Sequence, residues 1–286
     1  MSVEAAEGKW IEVNGRSLYV YIIGEGDPII FLHGGPGGCH EYFLPNMTPL
    51  ADYYQLVFYD QSGCGSSPSK GIESYSIQDE VRNLEGLRKA LGLDKIHLFG
   101  ESWGSILALY YSASYPSAIN KLILTAAIGL TAEDYKRFKD TLLKRLGVYK
   151  KMTLGWYSLL AMIGNDTTRK VTNLLDPYYV HSVQSLRKKK EFQYNKVAMQ
   201  QIGSELERSY DLFPLLHAIE DVPMLIAQGC ADVLSPESIR THMMPHLCNA
   251  VLVEVKESGH WTVLEQPERV IEHTIDFLEN KRFKVN

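Results

Sequence analysis

The hexapeptide GESWGS, residues 100–105, lies between the apolar runs KIHLF and ILALYY. The first run predicts a buried strand and the second predicts a helix. Gly100 and Gly104 stand two residues before and after Ser102, and small residues permit a sharp turn where larger ones would clash. We expect this turn to lift the Ser102 hydroxyl above a sheet. It would also put the Trp103 N–H at a helix N-terminus, where it can stabilise a developing negative charge.

The pattern around this turn predicts a single large α/β unit. Asn14-Gly15 separates two alternating segments and indicates an opening hairpin. Further along, apolar strands alternate with helical patterns, which is typical of a mostly parallel sheet with helices on both faces. The alternation stops after Gly129 and returns near Pro214. We therefore expect a core formed by 1–129 and 214–286 and a helical insertion formed by 130–213.

A serine nucleophile needs a base and an orienting acid, gathered at the carboxyl ends of parallel strands. His260, in ESGHW, follows the strand pattern AVLVEVK and is the candidate base. Asp232 follows PMLIAQG and is the candidate acid, because Asp221 precedes that strand and Glu254 lies inside the next one. The chain order Ser, Asp, His is that of an α/β-hydrolase fold.

The glycine-rich loop HGGPGG, residues 33–38, follows the first core strand and is the expected source of a second oxyanion donor. We assign Gly35 together with Trp103 as the donor pair, with Gly34 as the close competitor. The loop lacks the Lys-Ser/Thr of a phosphate-binding P-loop, so a nucleotide site is not expected there.

With these motifs together, the chain resembles the prolyl aminopeptidase (proline iminopeptidase) family of α/β-hydrolases. The resemblance covers nearly the whole core and is carried by HGGPGG at 33–38, DQSGCGSS at 60–67, GESWGS at 100–105, GCAD at 229–232 and SGHW at 258–261. It implies catalytic roles for Ser102, Asp232 and His260. It also implies that the insertion is a cap over the site, and that the substrate is a peptide with a free amino terminus.

Acidic side chains hold the substrate ammonium in that family, and the resemblance points to Glu205 and Glu207 in the late insertion for this role. A solvated helix face is the alternative for both. Three positions differ from the family pattern: Val233 follows the candidate acid, Ser62 follows Asp-Gln, and Glu101 precedes the serine where the family generally has glycine.

Composition limits the partners. The formal charge of −5 and the pI of about 6.0 argue against nucleic acid, so we expect a small-molecule or short-peptide substrate. The sequence has neither a signal-peptide pattern at its start nor an apolar run long enough to span a membrane, which predicts a cytoplasmic protein with four free thiols. No metal or organic cofactor is expected. The run RKKK at 187–190 is interpreted as solvated surface.

The leading hypothesis is a serine hydrolase with aminopeptidase character. A carboxylesterase or lactonase acting on a small neutral acyl substrate uses the same catalytic groups and stays open. A cofactor-free perhydrolase and a ligand receptor without enzymatic activity are the remaining alternatives. The oligomeric state does not follow from the sequence.

Overall fold

The computed structural model describes residues 8–281. In this range the strands are β1 Lys9–Val13, β2 Arg16–Ile23, β3 Pro28–Leu32, β4 Gln55–Tyr59, β5 Ile96–Glu101, β6 Ile119–Thr125, β7 Met224–Gly229 and β8 Ala250–Val255. They form one sheet in the order β1-β2-β4-β3-β5-β6-β7-β8. Strands β3 to β8 pair in parallel, whereas β2 runs antiparallel to both β1 and β4. The predicted α/β-hydrolase fold with a mostly parallel sheet is confirmed.

The opening hairpin turns at Asn14 and Gly15, which both have positive φ, 50° and 74°. Two consecutive left-handed residues match the right-handed twist of the two strands that they join. The stretch 1–7, on which much of the signal-peptide expectation rests, lies outside the described residues.

Helices cover both faces of the sheet. They are α1 Ile77–Ala90, α2 Trp103–Ser114, α3 Ala132–Arg145, α4 Val148–Met162, α5 Thr168–Leu175, α6 Lys196–Ser209, α7 Pro236–His242, α8 Thr262–Glu265 and α9 Pro267–Leu278. Helices α1 and α2 bury their apolar residues in one core cluster, and α9 buries Val270 and Phe277 in another. Ser76 caps α1 by accepting the Asp79 N–H.

Helices α3 to α6 all lie in the chain between β6 and β7. The insertion begins with a capping box, in which Thr131 and Asp134 satisfy each other's backbone N–H groups at the start of α3. An isolated bridge between Thr131 and Asp211 joins its two ends. The chain therefore leaves the core and returns to it at neighbouring positions, next to the bridge between Thr131 and Asp211.

Two further observations concern the described part of the chain. No helix within residues 8–281 combines the length and hydropathy needed to cross a bilayer. Cys39 and Cys64 are buried thiols, whereas Cys230 and Cys248 are exposed thiols.

Candidate active site

The turn that carries Ser102 explains both of its flanking glycines. Ser102 itself has φ 57° and ψ −118°, a backbone conformation that residues other than glycine rarely adopt. A Cβ atom at Gly100 would lie 2.3 Å from the Gly104 carbonyl oxygen, and one at Gly104 would lie 2.0 Å from the Leu32 carbonyl oxygen. Strand β5, helix α2 and strand β3 thus approach too closely for any side chain at these two positions.

The structure brings the three predicted catalytic side chains into one hydrogen-bonded chain. The Ser102 Oγ lies 2.8 Å from His260 Nε2, and His260 Nδ1 lies 2.8 Å from Asp232 Oδ1. Asp232 and His260 are buried at the carboxyl ends of β7 and β8. This geometry suits transfer of the hydroxyl proton to the imidazole, with the carboxylate selecting the tautomer that leaves Nε2 free to accept it.

Gln228, on β7, fixes the other oxygen of the acid, and sequence reasoning missed it. Its Nε2 donates to Asp232 Oδ2 at 2.8 Å and to the Leu234 carbonyl at 2.8 Å. Its Oε1 accepts the Ala127 N–H at 2.9 Å. A buried glutamine inside the apolar run MLIAQG was the available signal, because a buried amide needs partners.

The loop at 33–38 lies against Ser102, and its hydrogen bonds separate the two candidate oxyanion donors. The Gly34 N–H donates to the Tyr42 hydroxyl at 2.7 Å and is therefore occupied. Gly35 has φ 53° and lines the cavity beside Ser102 and Trp103. The Trp103 N–H belongs to the first residue of α2, where a helix offers no internal acceptor. These contacts favour Gly35 over Gly34.

Gln61, from the DQSGCGSS motif, joins the 33–38 loop to the turn that carries Ser102, and sequence reasoning also missed it. Its backbone N–H donates to His33 Nε2 at 3.1 Å, and its side-chain Nε2 donates to the His33 carbonyl at 3.2 Å. Its Oε1 accepts the Trp103 indole N–H at 2.8 Å. Burial lowers the pKa of His33 to about 4, so this histidine is neutral and serves as an acceptor in the network.

Glu101 is a carboxyl group inside the cavity wall, directly before Ser102. Burial raises the pKa of Glu101 from 4.5 to about 7, and a hydrogen bond from the Tyr42 hydroxyl partly offsets that rise. The Tyr42 hydroxyl accepts the Gly34 N–H, so its own proton is available for Glu101. A hydrogen-bond relay thus runs from the carboxyl group to the backbone of the 33–38 loop.

The raised pKa makes the stability of the fold depend on pH at this residue. The unfolded chain releases the Glu101 proton near pH 4.5, whereas the folded chain keeps it until about pH 7, so the free energy of unfolding falls between these values. We expect Glu101→Gln to remove this loss. Its stability relative to the parent should rise from pH 4 to pH 8 by on the order of 3 kcal/mol, measured by urea unfolding.

Glu207→Gln, which changes an exposed carboxylate, serves as the control and should show no such trend. A Glu101→Gln effect of equal size at both pH values would contradict the account of burial.

A cavity of about 250 Å³ opens above Ser102 between the core and the insertion. Its walls are mainly apolar and aromatic. The rings of Phe138 and Tyr179 pack against the His260 imidazole at centroid distances of 5.0 and 5.3 Å. The Tyr179 carbonyl oxygen also accepts the backbone N–H of His260 at 2.6 Å. Residues of the insertion therefore hold the histidine from the side opposite to the sheet.

The predicted ammonium ligands do not line this cavity, and that prediction does not fit the structure. Glu205 Oε2 accepts the backbone N–H of Ile77 at 2.9 Å, at the start of α1. Glu207 forms a half-exposed ion pair with Lys139. The two carboxylates lie on different faces of α6, so Glu205 reaches the start of α1 and Glu207 reaches Lys139 of α3.

The interpretation of RKKK as solvated surface is wrong for Lys189. This side chain is 12% exposed, and its Nζ lies 2.5 Å from the Asp176 carboxylate and 4.4 Å from the centre of the Trp261 ring. Burial raises the pKa of Asp176, while the Lys189 ammonium opposes that rise. Asp176 and Lys189 both line the cavity, so the cavity wall contains a carboxylate that is already paired with an ammonium group.

Glu265 and Arg145 connect the insertion to the loops that carry Asp232 and His260. The Glu265 carboxylate accepts the N–H groups of Gly259, His181 and Ser182 at 2.7, 2.8 and 2.9 Å. The Arg145 guanidinium, at the end of α3, donates to the carbonyl oxygens of Tyr178, Ala231 and Asp232.

Across residues 8–281 no group of three or more His, Cys, Asp or Glu side chains is arranged to hold a metal ion.

Known proteins with similar sequences and folds agree with this architecture. Residues 27–267 match the family model described as "alpha/beta hydrolase fold". The proline iminopeptidase of Lactobacillus delbrueckii subsp. lactis is 30% identical over 296 residues, covering 94% of this chain and 97% of the relative.

Two solved structures share the fold. The proline iminopeptidase of Mycobacterium smegmatis superposes with a TM-score of 0.72 at 19% identity, over 96% of this chain and 98% of that one. An esterase from Thermogutta terrifontis gives a TM-score of 0.69 at 20% identity, over 97% and 100%. Given the family match and the near full-length relatives, the chain is a serine hydrolase that belongs to the proline iminopeptidase family of α/β-hydrolases.

Proposed function

We propose that Ser102 is the nucleophile, His260 the general base and acid, and Asp232 the group that orients the imidazole. The two successive 2.8 Å contacts from Ser102 Oγ to His260 and from His260 to Asp232 carry this proposal. The N–H groups of Gly35 and Trp103 are the proposed oxyanion donors, and the insertion at 130–213 is the proposed cap.

The reaction proceeds in two balanced steps. Ser102 Oγ attacks the substrate carbonyl carbon while its proton passes to His260 Nε2, and the negative charge on the carbonyl oxygen lies at the oxyanion donors. The tetrahedral intermediate then expels the leaving group, which takes the proton from His260. In the second step, water gives a proton to His260 and attacks the acyl-enzyme carbonyl. Collapse of the intermediate returns the proton to Ser102 Oγ and releases the carboxylic acid product. Asp232 keeps the imidazole oriented in both steps.

For the substrate, we propose a short peptide from which the N-terminal residue, preferentially proline, is released. Relatives named proline iminopeptidase, at 27 to 30% identity over 94% of the chain, support this substrate class. An N-terminal ammonium group needs a carboxylate in the cavity, because a buried unpaired charge is unfavourable. Asp176 takes this role in place of Glu205 and Glu207.

The surroundings of Asp176 are suited to an ammonium group. A carboxylate and the face of the Trp261 ring surround the Lys189 Nζ, and both attract a cation. Trp261 follows His260 directly, so this place is adjacent to the proposed catalytic base. We propose that a substrate ammonium takes the place of the Lys189 ammonium group beside Asp176.

A carboxylesterase or lactonase is the second candidate, and the pairing of Asp176 with Lys189 favours it. If Lys189 stays in place, Asp176 and Glu101, the two carboxyl groups that line the cavity among the described residues, are both engaged, one by Lys189 and the other by the Tyr42 hydroxyl. A mainly apolar cavity of about 250 Å³ then suits a small neutral acyl group. Both candidates use the same proposed triad.

A hydrolysis panel separates the two. The substrates are prolyl-arylamide, N-acetyl-prolyl-arylamide, short p-nitrophenyl esters and an acyl lactone. An aminopeptidase cleaves the free amine and discriminates strongly against the acetylated form, since acetylation removes the charge. No cleavage of prolyl-arylamide together with rapid ester or lactone turnover would replace the aminopeptidase proposal with the second candidate.

Variants of the buried ion pair give a sharper test. We expect Asp176→Asn to lower kcat/KM for prolyl-arylamide by on the order of 100-fold, because a charge-assisted contact is lost. Lys189→Met should lower KM for the same substrate, because it removes the competing ammonium group. Neither change should alter kcat/KM for a neutral ester by more than about 3-fold.

Glu207→Gln is the matched carboxylate control and should leave both substrates unchanged, and thermal melting checks that each variant is folded. Equal losses on the amine and the ester would assign Asp176 a purely structural role.

A further inference from the structure

Helix α4 in the insertion presents an apolar face that nothing in the described chain covers. None of its residues is buried. The exposed large apolar side chains on or next to this helix are Val148, Tyr149, Met152, Trp156, Leu159, Met162 and Ile163, with exposures of 58 to 83%. The opposite face carries the half-buried Leu154, Tyr157 and Leu160, so the helix is apolar on both sides. Such a helix is normally covered all round.

The spacing on this outer face is that of a helix that packs against another helix. Val148, Met152, Gly155, Leu159 and Met162 follow one another at intervals of four, three, four and three residues. This repeat averages 3.5 residues and keeps one narrow line of side chains toward a partner helix. Beyond Gly155 no atom lies within 4 Å of the place where a Cβ would stand, so a second backbone can approach there.

The same line of residues is nearly symmetric about Gly155. Val148 and Met162 each lie seven residues from it, and Met152 and Leu159 lie three and four residues away. A two-fold axis at Gly155 would place each apolar side chain against an apolar counterpart of an identical antiparallel helix, as an isologous interface requires. Binding to a flat lipid surface requires neither this symmetry nor a glycine at the centre of the face.

The exposed area is sufficient for such an interface. Seven large apolar side chains exposed to this degree offer on the order of 800 Å² from one copy, which is about the area that one partner contributes to a stable complex. Helix α4 has no acidic residue, and its Lys150 Nζ is folded back over the Tyr178 ring at 4.8 Å. No carboxylate therefore has to be desolvated when the two faces meet.

We propose that two copies of this chain associate through antiparallel α4 helices that cross at Gly155. The contact would be close to the cavity, because α4 packs against α5, and Val171, Thr172 and Leu175 of α5 line the cavity. Association of the two copies would thus stabilise the outer wall of the cavity, although neither copy would contribute a residue to the other's cavity.

Sedimentation velocity at 1 to 50 µM tests the association. The parent should sediment at twice the chain mass of 32.4 kDa. Met152→Glu with Leu159→Glu should raise the dissociation constant by at least about 100-fold and yield the single-chain mass, because charges at the interface centre would be desolvated. Tyr53→Glu with Val183→Glu, at comparably exposed apolar sites elsewhere, is the control and should remain dimeric.

Cross-linking tests the geometry. In a background with Cys230→Ser and Cys248→Ser, Gly155→Cys should form a disulfide-linked dimer on mild oxidation, whereas Lys144→Cys, outside α4, should not. A parent that sediments as a single chain at 50 µM overturns the proposal, as does a dimer that survives Met152→Glu with Leu159→Glu. A single-chain protein that floats with phosphatidylglycerol vesicles through these two residues would instead identify a membrane-binding face.

Discussion

Ser102→Ala is expected to lower kcat by on the order of 10⁶ and to abolish covalent labelling by a fluorophosphonate. The fold should survive, because the strained turn is held by Gly100 and Gly104 and by the Ser102 N–H, which donates to the Thr125 carbonyl at 3.0 Å. Only the hydroxyl at 2.8 Å from His260 is lost. The measurements are single-turnover kinetics and mass spectrometry of the labelled protein.

Ser105→Ala is the matched control, since Ser105 lies one turn further along and its Oγ donates to the Ser102 carbonyl at 2.6 Å rather than to a base. That variant should retain labelling. Fluorophosphonate attached to a serine other than Ser102 would disprove the assignment of the nucleophile.

Asp232→Asn should keep the fold and reduce kcat by roughly 10⁴. The amide would donate toward His260 Nδ1, which forces the proton onto Nε2 and removes the acceptor that Ser102 needs. Gln228 would still hold the other oxygen position through its 2.8 Å contact, so the carboxamide stays in place. We expect a large loss in kcat with little change in KM, measured over the pH range 6 to 9.

Glu254→Gln tests the nearest alternative acid in the sequence. Glu254 is half exposed and pairs with Arg240 at 2.7 Å, so its replacement should leave turnover within about 2-fold of the parent. Near-normal turnover in Asp232→Asn together with a loss in Glu254→Gln would exchange the two roles.

The sequence predicted the sheet and the arrangement of the proposed triad because both depend on local patterns. Ser102, Asp232 and His260 each follow the carboxyl end of a strand pattern, and parallel strands bring these ends to one edge of the sheet, so no knowledge of side-chain packing is needed. The helical insertion expected at 130–213 likewise depends on local spacing, and Phe138 and Leu142, four residues apart, are both buried on α3.

Contacts between distant elements were not predictable in this way. Glu205 and Glu207 have the right charge and lie in the right segment, but only the packing of α6 decides that one reaches Ile77 and the other reaches Lys139. Lys189 lies in a run of four basic residues that looks solvated. Its burial depends on Asp176, thirteen residues earlier, and on Trp261 from the core.

The three hydrogen bonds to Glu265 limit where substrate can enter the cavity and where product can leave it. One carboxylate fastens His181 and Ser182 of the insertion to Gly259, the residue that precedes His260. If this segment swung outward, it would pull the imidazole away from Ser102, and the open protein would lack its proposed base. Substrate and product would therefore have to pass a part of the cavity wall other than the segment at His181 and Ser182 if His260 is to stay beside Ser102.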